Sequence, residues 1–186
     1  MHVRQSITAM TALSLSGVLV AAEPPSAAVV TAADISAAVA QLSHRFTDDE
    51  PLRVLEAGPN RLGLFVIGRP KKTDPARVGP DGAVGVTEGL QLDEVSAVLQ
   101  MLSGTGEFVV GGQLLHRVPM APDDPDASVL GPGGRGKAIV GGSRRRIGPG
   151  DIVIIPAGVA HGFSAIESPV TYLVLRVDSG RALPLK

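Results

Sequence analysis

Short apolar runs alternate with turns rich in glycine and proline along most of the chain. Runs of this length and composition predict β-strands at residues 52–57, 62–67, 83–92, 96–102, 107–110, 137–140, 151–155 and 170–177. The polar stretches at 70–83 and 119–136, which are rich in Pro, Gly and Asp, are predicted to be loops. Many short strands joined by such turns favour a closed or sandwiched all-β fold.

One segment has a helical pattern instead. Residues 31–42 are rich in alanine, and Ile35, Val39 and Leu42 recur at the three- and four-residue spacing of a helix face. Thr31 or Asp34 is a suitable N-cap. We therefore predict one short N-terminal helix that lies outside the main body of strands.

Composition narrows the class of protein. The 186 residues suffice for one domain with a real core, and a hydrophobic content of 44% excludes a disordered polymer. The chain has no cysteine, which excludes disulfide scaffolds, thiol nucleophiles and cysteine zinc sites. The net charge of −1 gives no electrostatic footprint for nucleic acid, so we expect no nucleic-acid partner.

The N-terminus has the pattern of an export signal. Arg4 precedes an uncharged stretch over residues 7–22 that ends in the small residues Ala21 and Ala22. We predict a signal peptide at 1–22, an extension with the short helix at 23–50, and the strand-rich domain at 51–186. The protein is then periplasmic or extracellular, with no membrane span after cleavage. The alternative is a disordered or mis-started N-terminus, since Met10 is also a possible first residue.

Residues 148–164 carry the most specific motif. A proline–glycine turn leads into four β-branched residues at 152–155, a run that favours a strand buried on both sides. A proline then ends the strand, a glycine allows a reversal, and a histidine opens the next strand. This pattern resembles the second conserved motif of the cupin superfamily, whose positions are filled by Gly150, Pro156, Gly158 and His161. The motif's final asparagine is Ala165 here.

The resemblance implies an antiparallel jelly-roll β-barrel with its core motifs at 83–177 and a pocket in its mouth. Metal sites of the family use two histidines and a glutamate from a first motif, together with the histidine of the second. When the closing glycine of the first motif is aligned with Gly104, those three positions fall on Leu90, Leu92 and Ala97. Only His161 then remains of the four ligands.

We therefore predict a pocket that has become apolar and lost its metal. Alternate residues share a strand face, so Leu90 and Leu92 project together into the pocket. The full set of predicted pocket residues is Leu90, Leu92, Ala97, Leu99, Met101, His161 and Phe163. A shorter spacer in the first motif gives a weaker alternative, in which Gln91, Asp93 and His161 bind a divalent transition metal.

Two further sequence patterns do not predict a functional site. Residues 131–136 fit G-x-G-x-x-G, but they lack the strand and helix that a phosphate site needs, so a flexible loop is predicted. The arginines at 144–146 are predicted to be a solvated strand face.

Three functions remain open from the sequence. The first is a metal-free barrel that binds a small molecule. The second is an enzyme (an oxygenase, isomerase or lyase) that uses His161 with or without an atypical metal site. The third is a non-catalytic interaction module. The cupin resemblance also implies a possible homodimer.

Overall fold

The computed structural model describes residues 27–45, 47–72, 79, 81–121, 123–181 and 183. The predicted signal peptide at 1–22 lies outside these residues. In chain order the elements are α1 (Ala32–Gln41), β1 (Asp48–Ala57), β2 (Asn60–Arg69), β3 (Val84–Leu92), β4 (Val95–Ser103), β5 (Gly106–Val110), β6 (Gln113–Leu115), β7 (Val118–Pro119), α2 (Ala127–Leu130), β8 (Gly133–Val140), β9 (Ser143–Ile147), β10 (Ile152–Ile155), β11 (His161–Ile166) and β12 (Val170–Asp178).

The strands form two antiparallel sheets. The first has the order β1-β2-β12-β4-β10, and the second has the order β6-β8-β3-β11-β5-β9 with β7 added beside β8. Strands distant in sequence therefore lie side by side, as β2 and β12 do over their whole lengths. The predicted all-β antiparallel jelly-roll barrel with a short N-terminal helix is confirmed.

The main core lies between the two sheets. The rings of Phe108 and Phe163 in the second sheet pack edge to face with their centroids 4.9 Å apart. The centroid of the Phe163 ring lies 6.0 Å from that of Tyr172 in the first sheet. Aliphatic side chains from both sheets surround these rings, among them Ile67, Leu99 and Val174. Burial of each such side chain contributes about 1.5–3 kcal/mol.

Helix α1 confirms the helical prediction. The Thr31 hydroxyl accepts a hydrogen bond from the Asp34 amide at 3.2 Å, and the Asp34 carboxylate accepts one from the Thr31 amide at 2.8 Å, which completes a capping box. Just after the helix, Leu42 is buried in contact with Gly68 of β2. The helix thus lies against the outside of the first sheet.

The prediction of a loop over residues 119–136 is wrong in part. Strand β8 begins at Gly133, so the second half of the G-x-G-x-x-G segment is paired with β3. A Cβ at Gly133 would lie 2.6 Å from the carbonyl oxygen of Gln91. Glycine is therefore present because the two backbones approach closely, whereas its low strand propensity suggested a loop.

The prediction that the apolar run at 152–155 is buried on both sides is also wrong. Ile152 is 60% exposed and Ile154 is 72% exposed, while Ile155 is buried in the main core. The reason is alternation, because Ile152 and Ile154 lie on the solvent-facing side of the first sheet, where Ile152 pairs with the exposed Gln100 of β4, while Ile155 faces the core. The arginines at 144–146 form an exposed face of β9, as predicted.

Among the described residues, no helix combines the length and apolar character needed to cross a membrane. Strand β1 begins at Asp48, slightly ahead of the strand-rich domain predicted at 51–186. The homodimer remains a prediction.

Candidate ligand-binding site

A cavity of about 190 Å³ lies between the two sheets, and we call it the barrel cavity. Its inner wall is aliphatic and aromatic, while charged side chains stand at one side. The residues that line it are Thr47, Asp49, Ile67, Arg69, Glu88, Leu90, Leu92, Ala97, Leu99, Phe108, Asp126, Val129, Leu130, Ile155, His161, Gly162, Phe163, Tyr172, Val174 and Arg176. They come from both sheets and from the short helix α2.

Six of the seven predicted pocket residues line this cavity, namely Leu90, Leu92, Ala97, Leu99, His161 and Phe163. Strand alternation explains the set, because Leu90 and Leu92 share one face of β3, while Ala97 and Leu99 share one face of β4. Met101, the next residue on that face of β4, does not line the cavity. It is fully buried in the main core instead.

His161 opens strand β11 directly beside Leu90 of β3. The motif before it sets this position. Pro156 follows the last residue of β10, and Gly158 has a left-handed φ of 78° and donates its amide to the Leu92 carbonyl at 2.7 Å. The turn is therefore attached to the end of β3 at the point where His161 begins the neighbouring strand.

The hydrogen bonding of His161 fixes its tautomer. Its Nδ1 lies 3.0 Å from the carbonyl oxygen of Val159, and a carbonyl can only accept. Nδ1 therefore carries the proton in the neutral ring, and Nε2 is left with a free lone pair. Among the described residues Nε2 has no partner, so it is available to a molecule in the cavity.

Burial lowers the pKa of His161 to about 4. The bond to the Val159 carbonyl opposes this shift, whereas the positive charges of Arg69 and Arg176 add to it. At neutral pH the ring is therefore uncharged, and Nε2 can accept a hydrogen bond or bind a metal ion.

Gln91 and Asp93, the other two members of the alternative metal set, do not line the barrel cavity. Asp93 is exposed and forms an ion pair with Arg117, whose Nη2 donates to both carboxylate oxygens at 2.7 and 2.8 Å. Neither residue joins His161 at the cavity, because alternation along β3 turns Gln91 away from the face that carries Leu90 and Leu92.

Sequence reasoning missed a charged side of the cavity. Arg69 donates from Nε to the Tyr172 hydroxyl oxygen at 2.7 Å and from Nη1 to Glu88 at 2.7 Å. Burial raises the pKa of Tyr172, so its hydroxyl stays protonated at neutral pH.

Arg176 forms a second buried pair. Its Nη2 donates to Asp49 at 2.6 Å, and its Nη1 donates to the carbonyl of Val129 at 3.0 Å. The guanidinium also lies 4.1 Å from the centre of the Phe65 ring, a cation–π contact. Arg176 thereby connects β12 to β1 and to helix α2, whose residues Val129 and Leu130 line the cavity.

The alternation of residues along β2 and β12 could have predicted that Arg69 and Arg176 face the cavity. In β12, Tyr172, Val174 and Arg176 occupy every second position, and all three line the cavity. In β2, Ile67 and Arg69 do the same. A charged residue in phase with the apolar face of a buried strand is a signal for a polar group inside the fold.

The residues at the four family metal positions do not fit a divalent transition metal. Three of them are the hydrocarbon side chains Leu90, Leu92 and Ala97, and stable sites need three or four nitrogen, oxygen or sulfur donors. The nearby carboxylates Glu88 and Asp49 are paired with arginines. Across the described residues, no group of three or more His, Cys, Asp or Glu side chains is arranged to hold a metal ion.

One family model and several solved structures are similar to this chain. Residues 133–185 match the family model of the AraC-like ligand binding domain, and none of the curated proteins matches the sequence. The chain resembles the DMSP lyase from Ruegeria pomeroyi DSS-3, with a TM-score of 0.44, 17% identity, and coverage of 83% of this chain and 66% of that chain.

Two other solved structures are similar. For hydroquinone 1,2-dioxygenase from Sphingomonas sp. TTNP3 with 4-hydroxybenzoate bound, the TM-score is 0.43 at 14% identity, over 82% of this chain and 81% of that chain. For the Drosophila melanogaster CENP-C cupin domain, the TM-score is 0.30 at 11% identity, over 66% of this chain and 73% of that chain. At these identities and TM-scores, neither an activity nor a ligand carries over to this chain. The strand topology, the second motif around His161 and the family match over residues 133–185 together support a barrel with the cupin-superfamily fold.

Proposed function

We propose that this chain is a binding protein whose barrel cavity takes one small, largely apolar molecule without a metal ion. The main observation behind the proposal is that apolar side chains surround His161 in the cavity. Leu90, Leu92 and Ala97 line the same cavity as its free Nε2. A free Nε2 acceptor beside these apolar side chains suits a molecule with an apolar body and one donor group.

The size of the cavity bounds the ligand. At about 190 Å³ it is similar to an engineered apolar cavity of about 150 Å³ that binds benzene. A molecule of about six to ten non-hydrogen atoms, such as a single ring with one substituent, matches this space. The hydroxyl or N–H of that substituent would donate to Nε2 of His161.

The test compares phenol with anisole, which has a similar ring but no donor. We expect calorimetry to show tighter binding of phenol, and we expect His161→Phe to remove that difference. Ala97→Leu, which fills the cavity, should weaken both ligands, whereas Ala33→Leu on the exposed face of α1 should weaken neither. Failure of every small aromatic probe to bind would contradict the proposal.

The metal-free part is tested separately by elemental analysis of the purified chain. We expect less than stoichiometric Fe, Mn, Zn, Ni or Cu. One equivalent of any of these metals, lost on His161→Ala, would overturn this part.

A catalytic role for His161 is the second candidate. The anchored Nδ1 and free Nε2 are the arrangement of a general base. A pKa of about 4 makes the ring a weak proton acceptor at neutral pH, which favours binding over an isomerase or lyase reaction. If a substrate screen finds turnover, its persistence in His161→Ala would remove His161 from the catalytic candidates.

We also propose that the protein is exported, on the pattern of residues 1–22. N-terminal sequencing of the mature protein from the producing cells should then begin at or near Glu23. Retention of Met1 in the mature protein would refute export through a cleaved signal.

A further inference from the structure

A second cavity of about 230 Å³ adjoins the barrel cavity, and we call it the rim cavity. The residues that line it are Thr47, Arg69, Pro70, Lys72, Thr87, Glu88 and Ile166. Thr47, Arg69 and Glu88 line both cavities, so the two spaces meet at the Arg69–Glu88 ion pair. A ligand that fills the barrel cavity therefore has a polar space next to it.

Arg69 is a buried cation with unused donors. Of its five N–H groups, one on Nε and one on Nη1 are bound within the described part of the chain, to Tyr172 and Glu88. Nη2 has no partner there. A buried guanidinium is stable when acceptors surround it, so the free side of Arg69 is suited to a further acceptor.

Two other groups of the rim cavity offer hydrogen-bond donors. The Thr87 hydroxyl oxygen is buried and has no hydrogen-bond partner among the described residues. Lys72 is held by backbone bonds to Ile166 at 2.9 and 2.8 Å, and its ammonium group makes no ion pair within the described residues. With Arg69 and Lys72 positive and Glu88 negative, the cavity carries a net charge of about +1 at neutral pH.

We propose that the rim cavity is a carboxylate subsite, so that the ligand of the barrel is a small monocarboxylate whose apolar body lies against Leu90, Leu99 and Phe163. This inference rests on the proposed binding function. A planar carboxylate matches the fork of Arg69, and a single negative charge balances the cavity. A dianion would be repelled by Glu88.

Glu88 acts as an internal competitor of the ligand in this arrangement. Its carboxylate occupies Nη1 of Arg69 at 2.7 Å and accepts from the Thr47 hydroxyl at 3.3 Å. The Glu88 side chain is 35% exposed, which leaves it room to turn away when a ligand carboxylate arrives. Removal of its charge should therefore strengthen anion binding relative to the binding of a neutral ligand.

The test compares benzoate with benzyl alcohol by calorimetry on the full chain at pH 7.5. In the wild type we expect benzoate to bind at least about tenfold more tightly, since hydrogen bonds to a charged group contribute this much or more. Glu88→Gln should widen the preference, and Arg69→Met should abolish it while benzyl alcohol still binds. Arg181→Met and Glu56→Gln, which alter an exposed arginine–glutamate pair that lines neither cavity, should change nothing.

Equal affinity for the two probes in the wild type, or a preference that survives Arg69→Met, would overturn the carboxylate subsite and leave the binding function intact. If neither probe binds the wild type, both proposals fail. If Arg69→Met does not fold, Lys72→Met replaces it, because Lys72 is exposed. A benzoate preference that Lys72→Met leaves unreduced would count against the subsite.

Discussion

Protonation of His161 should destabilise this protein at acid pH, and a non-titrating substitution at this position should remove that part of the pH dependence. In the unfolded chain a histidine has a pKa near 6.5, whereas in the folded protein burial lowers the pKa of His161 to about 4. Between these values the unfolded state binds more protons than the folded state. The free energy of unfolding therefore falls as the pH falls through this window.

The size of the effect follows from the two pKa values. The proton linkage costs about 1 kcal/mol of stability at pH 5.5 and about 2–3 kcal/mol at pH 4.5, relative to pH 7.5. Carboxyl groups of the unfolded chain also titrate near the lower end of this range. Among them is Glu167, whose pKa in the folded protein is lowered to about 2 by hydrogen bonds from Arg146 and Thr105. They are common to wild type and variant and cancel in the difference.

The assay is urea unfolding of wild type and His161→Gln at several pH values. Glutamine does not titrate, so the wild type should lose about 2–3 kcal/mol more than the variant between pH 7.5 and 4.5. An NMR titration of the His161 ring gives the folded pKa directly. Parallel pH profiles for the two proteins, or a measured pKa at or above 6.5, would refute the reasoning.

Three further predictions concern a buried ion pair, two glycines with positive φ and the family metal positions. Arg176→Met should lower the free energy of unfolding by about 3–5 kcal/mol because it leaves Asp49 unpaired, and adding Asp49→Asn should recover part of the loss in a double-mutant cycle by denaturation. Gly104→Ala should lower the free energy of unfolding by about 3 kcal/mol or more, because its Cβ would lie 2.1 Å from a carbonyl oxygen. Gly111 has a similar positive φ but open space around it, so Gly111→Ala should lower the free energy of unfolding by only about 1–2 kcal/mol. Equal melting temperatures for the two glycine variants would contradict the steric argument. Finally, the triple variant Leu90→His, Leu92→His and Ala97→Glu restores donors at the three family positions. With His161 it should bind one metal ion per chain, as measured by elemental analysis, and the further substitution His161→Ala should abolish this binding.

Local sequence predicted the part of the site that local structure determines. The turn before His161 follows from Pro156 and Gly158, since one ends a strand and the other allows a left-handed reversal. Once the first motif was aligned, alternation along β3 was enough to place Leu90 and Leu92 on one face.

Features that depend on distant partners could not be read in the same way. Asp49 and Arg176 are separated by most of the described chain, and the sequence near either residue does not predict that the other is its ion-pair partner. The exposure of Ile154 depends on one face of the first sheet being open to solvent, and a run of four β-branched residues is equally suited to a strand buried on one face or on both.

The order of strands in the first sheet determines when that sheet can be completed during synthesis. Strand β12, which is synthesised after β2 and β4, lies between them in the finished sheet. Until residue 178 is available, the facing edges of β2 and β4 have no partner, and Asp49 has no arginine to bind. Non-local pairing of this kind slows folding and leaves strand edges open to other chains in the meantime. A chain truncated before β12 should therefore aggregate, and the barrel cavity should form only in the last step of folding.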